Sequence, residues 1–172
     1  VLGNRVDNFP NIIQREYSQG HEIGSHSFSH PQITTLTSEE IEYQFTETEH
    51  RIQQYVPYTT KLIRPPYGQI TQSLKEVLQK TFVLWSIDTQ DWKTRDKDAI
   101  VSEVLNNVKD GDIILMHDMY STTADACEEL IPALIERGYQ LVTVSELLNA
   151  KEITPVAGSV YSRVLSTGNA AS

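Results

Sequence analysis

Phe82-Val83-Leu84-Trp85-Ser86-Ile87-Asp88-Thr89-Gln90-Asp91-Trp92 is an apolar run of strand length that ends in two carboxylates and an indole. The same form recurs at Ile113 to Met116 before His117-Asp118, and at Leu62-Ile63 before Arg64-Pro65-Pro66-Tyr67-Gly68. A weaker copy, His21 to Gly24, precedes Ser25-His26-Ser27-Phe28-Ser29-His30, and a last apolar run covers Leu141 to Val144. The stretches between these runs have helical spacing. Thr37 followed by Glu40 is a capping-box signature, after which Ile41, Phe45, Thr48 and Ile52 repeat on one face until about Tyr55, before Pro57. Further helices are predicted over 8–19, 71–80, 98–109 and 123–137. The first has Pro10 in its opening turn and Gly20 past its end, and the last is kinked or divided at Pro132. Strand and helix alternate along the chain, which implies an α/β fold with a parallel sheet or a barrel.

Composition narrows the function classes. The chain has 172 residues, one domain's worth, and 14 Lys plus Arg against 23 Asp plus Glu gives 14 − 23 = −9. Without a basic stripe it is a poor match to nucleic acid or to an anionic membrane surface. With 39% hydrophobic residues it can bury a sizeable core. The single Cys127 excludes an intramolecular disulfide scaffold. No apolar run is long enough to span a membrane, and the first 25 residues hold no signal-peptide core. The start at Val1 reads as a cut or processed end. Residues 1–149 are expected to form the main domain. Residues 150–172 are expected to form a tail, in which only Ser159 to Leu165 resembles a strand.

In parallel α/β folds, functional groups collect at the carboxyl ends of strands, so the four polar clusters are expected to face one pocket. His26 and His30 are spaced i, i+4, which on a helical turn puts both imidazoles within reach of one zinc ion. The bland reading is a pair of exposed polar residues, and two nitrogens fall short of the three ligands a catalytic zinc takes. Arg64 to Gly68 is either a loop stiffener or a rigid turn that aims an Arg fork and a backbone N–H. Asp88 to Trp92 is either an Asx turn with an anchoring Trp or a sugar site with two acids and an aromatic face. His117, directly after a buried strand, is a structural histidine or a general acid.

Taken together, the clusters resemble the polysaccharide deacetylases, carbohydrate esterase family four. The family motifs H-S/T-x-S/T-H, R-P-P-Y/F-G, D-x-x-D-W and L-x-H-D stand here in order at His26 to His30, Arg64 to Gly68, Asp88 to Trp92 and Leu115 to Asp118. The resemblance implies a deformed, incomplete (β/α) barrel and metal-dependent deacetylation of an N- or O-acetylated polysaccharide. Peptidoglycan N-acetylglucosamine, chitin oligomers and acetylxylan stay open as substrates. It implies a divalent metal, zinc or another transition metal such as cobalt, held by His26, His30 and an Asp outside this chain. It implies catalytic roles for His117 as general acid, Asp91 as its paired carboxylate and Arg64 as holder of the base. Tyr67 would stabilise the oxyanion through its backbone N–H, and Trp92 and Leu115 would line the acetyl slot. Asp88 and Asp118 would be structural acids of the loop and strand end. The family's first motif, T-F-D-D-G-P or a variant, is absent, so the chain resembles the larger part of such a domain, with the N-terminal fragment as an expected partner. Its substrate class implies an extracellular or wall-associated bacterial protein. Two rival readings stand beside this one. The first is a zinc amidase with Asp88 or Asp118 as third ligand, and the second is a truncated domain that only binds glycan.

Overall fold

The structure is a computed structural model that describes residues 1–165; residues 166–172 of the expected tail lie outside the described residues. In chain order the elements are α1 (Gly3–Val6), α2 (Pro10–Ser18), α3 (Ser38–Gln53), β1 (Leu62–Ile63), α4 (Gln72–Leu78), β2 (Thr81–Val83), β3 (Ile87–Asp88), α5 (Asp91–Thr94), α6 (Lys97–Asn107), β4 (Ile114–Leu115), α7 (Ser121–Glu136), α8 (Val144–Ala150) and β5 (Val160–Tyr161). They form two compact units, residues 1–84 with 154–161, and residues 85–153 with the segment from Ser162.

The first unit is built on a parallel sheet in the order β1-β2-β5, with Ile63 opposite Phe82 and Phe82 opposite Val160. Ser25 adds a parallel bridge to Ile63, all that forms of the expected strand around His21 to Gly24. One core cluster of the unit packs Ile33, Ile41, Phe45, Ile63, Leu74 and Phe82, and a second joins Val6, Ile13, Ile23, Ile52 and Val56. The helical period placed Ile41, Phe45, Thr48 and Ile52 correctly, and all four are buried. Thr37 and Glu40 form both halves of the capping box of α3.

The second unit pairs β3 with β4 in parallel, Ile87 opposite Ile114. Its core gathers Ile87, Ile100, Val101, Val104, Ala126, Leu130 and Leu134, from β3, α6 and α7. Gly111 turns with φ +88, a left-handed value, against the segment that follows β5. Val164 N–H donates to the Gly111 carbonyl (2.8 Å), and a Cβ at 111 would stand 1.9 Å from the Val164 carbonyl oxygen.

The architecture is α/β with parallel strands, as the alternation implied, and no ladder closes into a barrel among the described residues. Several boundaries differ from expectation. The run Phe82 to Ile87 is two strands in two sheets, with Leu84, Trp85 and Ser86 between them. Leu141 to Val144 is not a strand. Leu141 and Val142 are exposed, at 49% and 42%, and Thr143 with Glu146 makes a second capping box that starts α8. One helix runs through Pro132, whose exposed position leaves the Glu128 carbonyl open to hydration.

Candidate active site

The expected site residues fall in two groups, one in each unit. In the first unit, β1 leads into Arg64, and the Arg64 N–H donates to the Ser25 carbonyl (3.0 Å), which sets the histidine loop beside it. That loop is not the helical turn expected from its spacing. Ser27 and His30 have φ of 70° and 61°, left-handed values for residues with a Cβ, each costing about 1–3 kcal/mol. The Ser27 hydroxyl accepts from the His30 N–H (3.0 Å), closing the loop on itself. The imidazoles still meet, edge to face, with centroids 4.9 Å apart. His26 Nδ1–H donates to the Arg64 carbonyl (2.5 Å). A carbonyl only accepts, so this bond fixes the tautomer and leaves the Nε2 lone pair as the ring's donor to an electrophile. Burial pulls the His26 pKa down from 6.5 to about 4, so the ring is neutral, the form that ligates a metal.

Arg64 continues into a tight turn. Gly68 N–H donates to the Pro65 carbonyl (3.1 Å) and Gln69 N–H to that of Pro66 (3.1 Å). Tyr67 takes φ 56 and lays its ring 4.7 Å from that of His30. Gln69 clips this turn to the chain after His30 through Gln32 (2.6 Å). The Arg64 guanidinium gives one bond, Nη2 to the Leu84 carbonyl (3.3 Å), while its Nε is buried with no partner among the described residues. Burial lowers the pKa of this group. An unmatched guanidinium N–H marks a place for an acceptor such as a carboxylate.

In the second unit, β3 ends at Asp88, whose carboxylate accepts from the Gln90 N–H (2.9 Å) in the expected Asx turn. Gln90 is left-handed at φ 51, which turns the chain into α5 and swings Asp91 inward. Asp91 is fully buried and accepts four bonds. They come from His117 N–H (2.6 Å), His117 Nδ1–H (2.7 Å), Trp92 N–H (2.9 Å) and the Thr123 hydroxyl (2.9 Å). Burial alone would raise its pKa, but the bonds from His117 and Thr123 hold it below the ordinary carboxylate value. With Nδ1 engaged, His117 turns Nε2 away from Asp91, the geometry of a histidine oriented for proton transfer. Leu115 is buried, and its carbonyl takes the buried Thr89 hydroxyl (2.8 Å). Trp92 is 49% exposed, so it does not anchor the loop as the bland reading required.

Sequence reasoning missed Thr123 and Gln44. Thr123 lies one turn into the helix that follows His117, a position from which a hydroxyl reaches back to a strand end. Gln44 accepts from the Phe28 and Ser29 N–H groups (2.9 Å each) and gave no sequence signal beyond its place on α3. Among the described residues no three His, Cys, Asp or Glu side chains stand close enough to share a metal ion. No helix among them is long and apolar enough to cross a membrane.

A family model described as polysaccharide deacetylase matches residues 1–83. The peptidoglycan-N-acetylmuramic acid deacetylase PdaC of Bacillus subtilis is 43% identical over 152 residues, 88% of this chain and 32% of that protein. A peptidoglycan-N-acetylglucosamine deacetylase of Bacillus cereus is 35% identical over 160 residues, 88% of this chain and 74% of that protein. The solved structure of a family 4 acetyl xylan esterase from Clostridium thermocellum, in complex with a cobalt ion, matches with a TM-score of 0.90. It is 33% identical, and the match covers 95% of this chain and 83% of that one. The chain belongs to the polysaccharide deacetylase family, carbohydrate esterase family four, and has its α/β fold. It spans about a third of the length of the Bacillus subtilis relative.

Proposed function

We propose that this chain carries the metal-dependent deacetylation of an N- or O-acetylated cell-wall glycan, with peptidoglycan amino sugars as the substrate class, and that it works outside the cytoplasm. The observation that carries the reading is the His26–His30 pair, two imidazoles 4.9 Å apart, one of them neutral with its Nδ1 occupied. Both rings fit as nitrogen donors to a divalent ion of the zinc or cobalt kind. The third ligand is an aspartate of polypeptide outside these 172 residues. When bound, the ion supplies Lewis acidity to the acetyl carbonyl and lowers the pKa of water. Residues 1–149 form the catalytic domain, to which the tail adds β5.

The other residues act on the substrate or on the missing carboxylates. The unpartnered Nε of Arg64 suits a second aspartate from the same outside polypeptide, holding it as the base that takes a proton from water. Water oxygen bonds to the acetyl carbon, and the Tyr67 N–H donates to the oxyanion that forms, a contribution of about 3 kcal/mol in comparable sites. His117, oriented by Asp91 and Thr123, delivers a proton to the leaving nitrogen or oxygen as the bond to the acetyl carbon breaks, and acetate leaves. The exposed face of Trp92 and the side chain of Leu115 receive the acetyl methyl.

The test is acetate release from N-acetylglucosamine oligomers and from peptidoglycan, measured on the chain together with the polypeptide that supplies the aspartates. Chelation abolishes release, and zinc or cobalt restores it. His117→Ala lowers kcat by about 10²–10⁴ with little change in KM. Turnover that survives chelation, or that His26→Ala leaves unchanged, overturns the reading.

A further inference from the structure

We infer that Gln44 is a positioning residue of the metal site, holding the histidine loop in its ligating shape before any ion arrives. The inference rests on the proposal that His26 and His30 hold a divalent cation. It starts from the hydrogen bonds that hold the backbone between the two histidines. The carbonyls of Ser27 and Phe28 accept from the N–H groups of Gly3 and Asn4 at the start of α1 (3.0 Å each). The N–H groups of Phe28 and Ser29 both donate to the side-chain oxygen of Gln44 (2.9 Å each). The Ser29 hydroxyl accepts from the Gln44 amide nitrogen (3.0 Å). Because two backbone donors face it, the amide of Gln44 has one admissible orientation, oxygen toward the loop.

These bonds do something that packing alone would not. A loop with left-handed Ser27 and His30 relaxes toward ordinary torsions unless its surroundings over-determine it. Gln44 sits mid-helix on α3, a helix capped at Thr37 and seated in the core by Ile41, Phe45, Thr48 and Ile52, so it is a fixed post. It grips the loop midway between His26 and His30, and none of its hydrogen bonds among the described residues goes to either ring. Its effect on a bound ion therefore runs through the angle and spacing of the two imidazoles. Groups that orient ligands in this indirect way change metal affinity by about 10–100-fold when removed.

The experiment titrates Co²⁺ into the full chain together with the polypeptide that supplies the aspartates, by calorimetry and by the visible absorption of the bound ion. Gln44→Met keeps the length of the side chain and removes the acceptor. It lowers Co²⁺ affinity by about 10–100-fold and alters the absorption band. Gln44→Glu retains an oxygen for both N–H groups and restores the wild-type band. Thr37→Ala uncaps the same helix and lowers the melting temperature, yet leaves Co²⁺ affinity unchanged. In metal-free wild-type protein, the Phe28 and Ser29 amides are already protected from hydrogen exchange, a readout that does not depend on any variant folding. Equal Co²⁺ affinity in wild type and Gln44→Met, or free exchange at these two amides, overturns the role of Gln44 while leaving the metal reading intact. A wild-type chain that takes up no Co²⁺ in the presence of that polypeptide overturns the metal reading itself.

Discussion

Replacing His26 with Gln removes one titration from the acid side of the stability curve, and the structure sets its size. In the fold the His26 ring is desolvated and its pKa falls from 6.5 to about 4. A group whose folded pKa lies below its unfolded one binds protons more readily when unfolded. His26 therefore contributes stability that is present above 6.5 and lost as the pH falls toward 4. Integrated from pH 7 to pH 4.5, the loss is about 2 kcal/mol. The buried carboxylates do not confuse this window. Asp91 and Asp112 are both shifted below an ordinary value of 3.8, so they stay ionised through it and lose their contribution only in stronger acid. His26→Gln keeps an amide N–H to donate to the Arg64 carbonyl and has no proton to gain. In urea titrations of metal-free protein, the wild type should lose about 2 kcal/mol more than the variant between pH 7 and pH 4.5. At a slope of about 2 kcal/mol per molar urea, that is a difference of about 1 M in the midpoint shift. Identical pH responses of the two proteins would refute the claim that the loop holds His26 buried and neutral.

Asp91→Asn leaves a buried amide facing donors on both sides, because His117, Trp92 and Thr123 all donate to this side chain. At least one backbone N–H is orphaned, at about 1–3 kcal/mol, and kcat falls while KM holds, as steady-state acetate release would show. Gly3→Ala puts a Cβ 2.6 Å from Phe28 Cδ2 and 3.0 Å from the Thr48 Cα, so the histidine loop shifts. The expected result is about 1–3 kcal/mol of lost stability together with weaker Co²⁺ binding by calorimetry. Gly111→Ala forces a left-handed alanine against the Val164 carbonyl. A loss on the order of 3 kcal/mol in chemical denaturation is expected, with Co²⁺ affinity at the histidines unchanged.

The fold was legible wherever a period and a cap agreed. Thr37, Glu40 and the spacing of Ile41, Phe45, Thr48 and Ile52 specify α3 at every level, and the helix stands where they place it. The same logic was available at Thr143 and Glu146 and lost to the apolar run beside it. Leu141 to Val144 has the β-branched composition of a buried strand, yet two of its residues face solvent and the cap decides. The division of Phe82 to Ile87 was beyond pattern reading. A continuous apolar run does not say that Phe82 pairs with Ile63 and Val160 while Ile87 pairs with Ile114. Register is a property of partners far away in sequence.

The candidate site divides along the same line, between side-chain chemistry and backbone shape. Imidazole, guanidinium and carboxylate groups are rare enough, and closely enough spaced in their motifs, that the sequence points to His26, His30, Arg64, Asp91 and His117 without a structure. What holds them is made of common residues across long separations. Gln44 reaches the loop from 15 residues away, and Thr123 reaches Asp91 from 32. Neither residue type announces a role. Moreover, the torsions that aim the chemistry run against local preference. Ser27, His30, Tyr67 and Gln90 all take left-handed values that propensity would assign to glycine or asparagine. Local rules fail at these four positions because the surrounding bonds overrule them, and that conflict is itself a signature of a site under constraint. Gly68, which the motif offered as the flexible point of its turn, does take φ 67, but Tyr67 beside it takes φ 56 as well. The turn therefore bends at two residues, and the second bend is what lays the tyrosine ring against His30.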